Sequence, residues 1–381
     1  MKLKDFLKDN LLLILLTFLI GGSGFYFLVL HPKFRITHAP ELLKAVVVVK
    51  TNKLDYATNE RLLVTPADDP VLQAVVIAKQ HGDSEPTYFS ISKHLKIDGK
   101  MVPEERIQPW DTFKWKEVRI LWFKIEPVIK PGKSSQPFSY QNIEYKSQFQ
   151  YNWPLQWTHT LDVNGFANTY PRQNFGFMRY RIRAEIKASI VNVVQKCYSP
   201  GPDEVSPDNI ISSKVFGIQY APSKTPFGYA VSLFNLAFAP RIDLSTYPEG
   251  KDPVSERIAV DSIAYFTEAM RMAGYGEIIQ GDAPSLKKAI RIIMESVHLD
   301  KKKGYYVDGK GKPVETSRLK KGMFIMDGKR IGMYAGEGSF AVGKLHVLTP
   351  DDRVLYAPGL PLYYEEFGSY FEGPFSIGEV R

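Results

Sequence analysis

Seven histidines, His31, His38, His81, His94, His159, His298 and His346, are scattered along the chain, and no two share the spacing of a metal-binding motif such as HExxH. Cys197 is the single cysteine, which excludes an intramolecular disulfide, a multi-cysteine zinc site and a two-cysteine redox pair. Such a residue reads as a small buried hydrophobe. Glu104-Glu105 and Glu365-Glu366 are adjacent carboxylates. Neighbours in a strand point to opposite faces, and in a helix they sit about 100° apart, so neither doublet makes a general acid/base pair. Gly309, Gly311 and Gly328 read as turn residues rather than a phosphate-binding loop. The expectation is therefore no catalytic residue, no metal and no cofactor, and the balance leans away from an enzyme.

Binding is a better match to the residue types. All five tryptophans, Trp110, Trp115, Trp122, Trp153 and Trp157, fall within one stretch, and 21 tyrosines and 23 phenylalanines surround them in the chain. Aromatic clustering of this kind packs a β-rich core, or offers a platform to a sugar or a partner protein. The five tryptophans are the candidate interaction surface. A net charge of +8 suits anionic lipid or an acidic envelope polymer. Basic residues are dispersed apart from Lys301-Lys302-Lys303, Arg318 with Lys320-Lys321, and Arg179, Arg181 and Arg183. No nucleic-acid module is present, and nucleic acid is not an expected partner.

The segment 11–30, LLLILLTFLIGGSGFYFLVL, is twenty residues without a charge. A helix of that length covers about 30 Å, the thickness of the hydrocarbon core of a bilayer. Lys2, Lys4 and Lys8 precede it, and Gly21-Gly22-Ser23-Gly24 could serve a signal peptidase. The apolar run continues beyond those glycines through Phe25 to Leu30, which favours a retained single-pass signal-anchor over a cleaved leader. Within a membrane helix Gly21, Gly22 and Gly24 form a candidate helix–helix contact face. Charge flanks place the N-terminus in the cytoplasm and the bulk outside it, periplasmic or extracellular, by a small margin.

The elements follow from periodicity. Residues 1–10 are a short cytoplasmic head, 11–30 the membrane helix and 31–44 a connector punctuated by Pro32 and Pro40. Residues 45–198 read as a β-rich antiparallel main domain, sandwich- or barrel-like. Ala45 to Val49 is a β-branched run, Pro70 to Lys79 is a strand or a short helix, and Arg179 to Ile190 alternates polar with apolar residues. Residues 199–251 form a loop-rich linker with strands, and Ser199 to Asp208 is the best candidate for an exposed loop. Residues 252–381 read as a smaller α+β domain, two helices followed by antiparallel hairpins. The first helix is expected to be capped at Asp252-Pro253 and to stop near Gly274, and the second to start about Pro284 with the stripe Leu286, Ile290, Ile293 and Val297. Asp308-Gly309 and Asp327-Gly328 mark tight turns.

In that last third, Asp261-Ser262 sits on a helix, followed by Leu319 to Ile325 and then Gly332 to Gly338, spanning about eighty residues. This order resembles the NlpC-type cell-wall cysteine peptidases, in which a helix opens with Asp-Cys and strands carrying Pro-Gly-Asp and His-Val-Gly-Ile-Tyr follow. The resemblance implies Ser262 at the nucleophile position and Arg330 near that of the histidine. A thiolate needs a base beside it, and both are replaced here, which implies an inactive relative. The function expected from the whole chain is a membrane-anchored, non-enzymatic component of a cell-envelope complex, serving secretion or transport, with protein partners. The alternatives are an envelope hydrolase, the inactive NlpC-type relative, or a glycan- or lipid-binding module.

Overall fold

The computed structural model describes Thr17, Leu19 and residues 39–115, 118–129, 143–149, 159–163, 176–187, 193–204, 210–234, 236–238, 248–260, 262–276, 283–336, 346–356, 364–371 and 373–381. The 11–30 segment, with Gly21, Gly22 and Gly24, thus lies almost wholly outside the described residues, as do Trp153 and Trp157. Among the described residues no helix is long and apolar enough to cross a membrane.

Strands dominate, in antiparallel and mixed sheets. In chain order they begin with β1 (Glu41–Lys50), β2 (Ala57–Thr58), β3 (Leu62–Val64), β4 (Val71–Lys79), β5 (Thr87–Phe89), β6 (Leu95–Ile97), β7 (Lys100–Met101) and β8 (Ile107–Gln108). Next come β9 (Val118–Ile129), β10 (Ile143–Phe149), β11 (Thr160–Asp162), β12 (Gly176–Lys187), β13 (Val193–Tyr198) and β14 (Gly217–Tyr220). The first sheet has the order β7-β6-β2-β1-β4-β5-β8, with β11 also on β4. The second runs β10-β9-β12-β14-β3, with β13 also on β12.

These two sheets pack face to face. Ala45, Val47 and Val49 of β1 and Leu72, Ala74 and Val76 of β4 meet Met178, Tyr180, Ile182, Ala184 and Ile186 of β12 and Ile120 and Trp122 of β9. The valine run forms a strand because β-branched side chains pack well on a pleated surface and restrict χ1 in a helix. Pro70 to Lys79, ambiguous by pattern, is strand β4, paired along its whole length with β1. Both faces of β1 are covered, since Val46 and Val48 pack with Leu95, Ile97 and Val102 on the opposite side.

The chain continues through α1 (Pro226–Val231), β15 (Ala237–Phe238), β16 (Ala259–Val260), α2 (Ser262–Met270) and α3 (Ala283–Lys288). It then lays down β17 (Ile290–Asp300), β18 (Tyr305–Val307), β19 (Phe324–Met326), β20 (Ile331–Gly336), β21 (Arg353–Tyr356), β22 (Tyr364–Glu366) and β23 (Phe375–Val380). The third sheet has the order β18-β17-β23-β19-β20-β21-β22. Its one face packs on the short helices through Phe324, Met333 and Leu355 against Tyr265, Phe266 and Leu286. Phe177 of β12 belongs to the same cluster, so apolar packing is continuous from the second sheet to the third.

Two of the expected helices differ from what forms. The stripe Leu286, Ile290, Ile293, Val297 has helical spacing, yet α3 ends at Lys288 and β17 carries the rest. Irregularities between Ile292 and Met294 and between Met294 and Val297 break the period of two. Both faces of the third sheet are covered, so Ile290 is buried on the helix side while Met294 and Val297, across the bulges, are buried on the other, and the spacing of buried positions imitates a helix in sequence. At the first expected helix, the carboxylate of Asp252 does accept from the backbone N–H groups of Val254 and Ser255, at 3.1 and 3.0 Å. The turn it caps stops at Arg257, whose φ of +60° is left-handed, and the helix proper waits until Ser262.

The Asp327-Gly328 hairpin forms as expected, with Met326 opposite Ile331 and Gly328 at φ +86°. In the other turn, running from Asp308 to Lys312, Gly311 rather than Gly309 takes the positive φ, +74°.

Candidate functional site

The alternation of β12 sends Met178, Tyr180, Ile182, Ala184 and Ile186 into the sandwich core and leaves Phe177, Arg179, Arg181, Arg183, Glu185 and Lys187 on the other face. Residues i and i+2 on a strand stand about 6.6 Å apart, so the arginines form a row of evenly spaced cations. Neighbouring strands supply rings between them. The Arg181 guanidinium carbon lies 4.5 Å from the ring centre of Tyr198, and that of Arg183 lies 5.6 Å from Phe123 and 5.9 Å from Tyr198. Lys196 places its ammonium 6.0 Å from the same tyrosine. Stacking on a ring fixes a guanidinium plane while leaving its N–H edge available to an acceptor.

This end of the row is half-open. The Arg183 side chain is 30 % exposed, and its Nε is 2.8 Å from Glu185 Oε1. Arg181 donates to both carboxylate oxygens of Asp203, at 2.7 and 3.3 Å, and to the carbonyl of Ser199 at 3.1 Å. The chain reaches Arg181 because Gly201 has no side chain: a Cβ there would come within 2.6 Å of the guanidinium. The segment expected as an exposed loop from Ser199 therefore begins by folding over β12, with Ser199 buried.

The other end is closed. Arg179 is 4 % exposed, with its guanidinium 4.5 Å from the Phe177 ring centre and 5.0 Å from that of Tyr145. Burial raises the pKa of Tyr145, with the Arg179 charge opposing. Arg179 opposes Gly217 of β14 in register, and β3 continues the row with Leu62 opposite Ile218. Arg61, one residue before Leu62, therefore lies level with Gly217, and its guanidinium is 5.1 Å from the Phe177 ring centre. The Phe177 ring occupies the space above Gly217, where a Cβ would meet it at 2.5 Å. One phenyl ring is thus shared by two guanidiniums.

Arg257 closes this end from above. Its backbone carbonyl accepts from Arg179 Nη2 at 2.5 Å. Its own guanidinium donates to Gln219 Oε1 at 3.0 Å and to the Val254 carbonyl at 2.6 Å, and pairs with Glu268 at 2.8 Å. Glu268, 7 % exposed on α2, also takes Arg271 at 2.7 Å, and Gln219 passes a hydrogen bond to Ser232 at 2.7 Å. Pairing and hydrogen bonding of this completeness is what a buried charge requires. Arg61 is the outermost member. Loss of water around its guanidinium, then the charges of Arg179 and Arg257, bring its pKa down to about 10, with Glu256 opposing.

Of the five candidate tryptophans the structure describes Trp110, Trp115 and Trp122, and all three pack in or against the sandwich core. Trp122 is 1 % exposed and belongs to the sandwich core, which removes it from any binding face. Trp115 is half-buried and donates to the Lys187 carbonyl at 2.8 Å. Trp110 is half-buried and stacks on His159, with ring centres 4.1 Å apart and planes 8° from parallel. Burial lowers the pKa of that histidine. Cys197 is 8 % exposed, and burial pushes its thiol up to about 12, which suits a packed hydrophobe and not a nucleophile.

Ser262 opens α2, and Arg330 sits in the exposed turn between β19 and β20, held by the Tyr370 carbonyl and by Asp327 at 3.5 Å. Among the described residues no group of three or more His, Cys, Asp or Glu could hold a metal ion. No protein-family model matches the chain, and neither a curated protein nor a solved structure matches it.

The sequence shows Arg179, Arg181 and Arg183 both as a short basic cluster and inside an alternating stretch; at i, i+2 and i+4 of a strand they share a face, and that step joins the two observations. Arg61, Gln219, Arg257 and Glu268 carry no local signature and meet only through the pairing of β3, β14 and β12 and the packing of the 253–258 turn and α2 against them.

Proposed function

We propose that the chain is a membrane-anchored, non-enzymatic interaction component of a cell-envelope complex, and that the open end of the β12 row receives an anionic partner. The observation that carries this reading is the stack of Arg181 and Arg183 on Tyr198 and Phe123, with Lys196 beside it. Ring-stacked guanidiniums are preorganised donors for phosphate and carboxylate, so little conformational freedom is lost on binding. The net charge of +8 supports association with acidic surfaces in the same sense. The apolar 11–30 segment supports a single-pass anchor with a cytoplasmic N-terminus and the bulk of the chain outside. Gly21, Gly22 and Gly24 would give the anchor a close-packing face for a partner helix.

The anionic partner in this reading is a lipid headgroup layer or an envelope polymer, and Asp203 and Glu185 are the groups it must displace or join. The test is co-purification of the full chain in mild detergent, alongside the double variant Arg181→Gln/Arg183→Gln. The expected outcome is a partner or anionic polymer retained at low salt by the native chain and released by the variant. A solitary monomer that retains neither would overturn the proposal.

A further inference from the structure

We infer that Arg61 is a receptor for a phosphoryl group, set apart from the open end of the β12 row at the opposite end of the same face. The inference deepens the reading of that face as anion-binding and rests on it only for the sign of the ligand. Three guanidiniums converge at this point of the second sheet. Two are committed: Arg257 is hydrogen-bonded to Gln219, Val254 and Glu268, and Arg179 donates to the carbonyl of Arg257 and stacks on Phe177 and Tyr145. Arg61 is not. It is exposed, its hydrogen bond among the described residues goes to the Ser255 carbonyl at 3.2 Å, and the carboxylate that acts on it, Glu256, does so through its charge.

A guanidinium carries five N–H donors in a planar fork, so four remain for an acceptor. The two buried cations beside it, Arg179 and Arg257, add attraction that does not depend on their making contact. The pKa of Arg61 is brought down to about 10, first by loss of water around the guanidinium and then by those two charges, with Glu256 opposing, and the side chain stays charged at neutral pH. Phe177 fixes the plane of the fork, 5.1 Å from its guanidinium carbon, as Tyr198 does for Arg181. A phosphoryl group carries up to two charges and several acceptor oxygens, which suits a fork within a converging positive field better than a single carboxylate does.

Two sources share this chemistry, free phosphate and the phosphate of an anionic lipid. The experiment uses the full chain in a phosphorus-free mild detergent, titrated with inorganic phosphate by calorimetry, and the same chain mixed with phosphatidylglycerol vesicles in a flotation assay. Arg61→Gln is the test variant and Arg61→Lys its charge-preserving partner, with thermal melting to confirm that both fold. The expected result is binding weakened about tenfold in Arg61→Gln and by less in Arg61→Lys, consistent with loss of one charge-assisted fork. Dependence on Arg61 in the phosphate arm assigns a free-phosphate site, and dependence in the vesicle arm alone assigns a lipid headgroup. Phosphate and vesicle binding both unchanged in a folded Arg61→Gln, or absent from the native chain, overturns the inference. Arg181→Gln/Arg183→Gln separates the two readings: loss of partner retention there with intact Arg61-dependent phosphate binding breaks neither, and each can fail alone.

Discussion

Arg179 and Arg183 are the same residue on the same face of one strand, four positions apart, and their surroundings are opposite. Arg179 is sealed between Phe177, Tyr145 and the Arg257 turn, whereas Arg183 has 30 % of its side chain in solvent. A buried arginine must be fully paired and cannot be given up without stranding its partners, so it serves as a fastener. A half-open one keeps an N–H edge for something outside. The difference comes from neither strand geometry nor residue type. It is set by what crosses above: the 253–258 turn and α2 at one end, and only the 199–203 segment at the other.

The largest effect that would break this contrast is expected at Glu268. It holds Arg257 and Arg271 at once from a site 7 % exposed, and Glu268→Gln leaves a buried guanidinium without its countercharge. A loss of about 3–5 kcal/mol is expected in urea unfolding, the range for breaking one side of a buried pair. A loss near zero would mean that the closed end is as loosely held as the open one. Gly217→Ala comes next. Its Cβ would meet Phe177 at 2.5 Å in a ring that is 2 % exposed, so about 1–3 kcal/mol of overpacking is expected, with displacement of the ring that Arg61 and Arg179 share. A structure of that variant with Phe177 unmoved would show that the shared stack tolerates what the geometry forbids.

Asp68 sharpens the contrast through pH. It is 5 % exposed; burial opposes its charge, but hydrogen bonds from Lys53 and from the backbone and hydroxyl of Thr65 outweigh burial and hold its pKa below the usual carboxylate value. Since the folded pKa is the lower one, Asp68 adds stability above the unfolded value of about 3.9, and that stability is lost as pH falls through the folded pKa. Asp68→Asn is expected to cost about 1–3 kcal/mol at neutral pH and to flatten the acid limb of a stability–pH curve. A parallel acid limb in the variant would assign that loss to other carboxylates.

Much of the strand content was legible because it rests on local rules. The β-branched run at Ala45 to Val49 lies within β1, the Arg179 alternation lies within β12, and Asp327-Gly328 makes its hairpin. What failed did so for identifiable physical reasons. Bulges in β17 spaced Ile290, Met294 and Val297 like a helix, and a left-handed Arg257 ended a turn that Asp252 had correctly opened. The candidate face was half visible. Arg179, Arg181 and Arg183 were in plain view, but the rings that order them, Phe123 and Tyr198, arrive from β9 and β13, and Arg61 arrives by a parallel pairing with β14. Pairing at such sequence distances leaves no trace in a local pattern. Of the candidate surface tryptophans, Trp122 is spent on the core, the other role open to clustered aromatics in a β-rich chain.

The smallest stability effect is expected where the largest binding effect is. Arg181→Gln removes the bidentate contact to Asp203 and the bond to the Ser199 carbonyl; Asp203 is 67 % exposed and regains water, while the Arg181 side chain is 16 % exposed, so the cost is about 1 kcal/mol, the upper end for an exposed pair. The chain should melt within a few degrees of native. Retention of an anionic partner should nonetheless fall, because the fork that orients it is gone, and the loss should shrink as salt rises and screens the remaining cations. Retention that survives Arg181→Gln but fails in Glu268→Gln would reverse the assignment of roles along β12, making the closed end the receptor and the open end a solvated face. Melting that collapses in Arg181→Gln would show that the 199–203 segment seals its arginine as tightly as α2 seals Arg179.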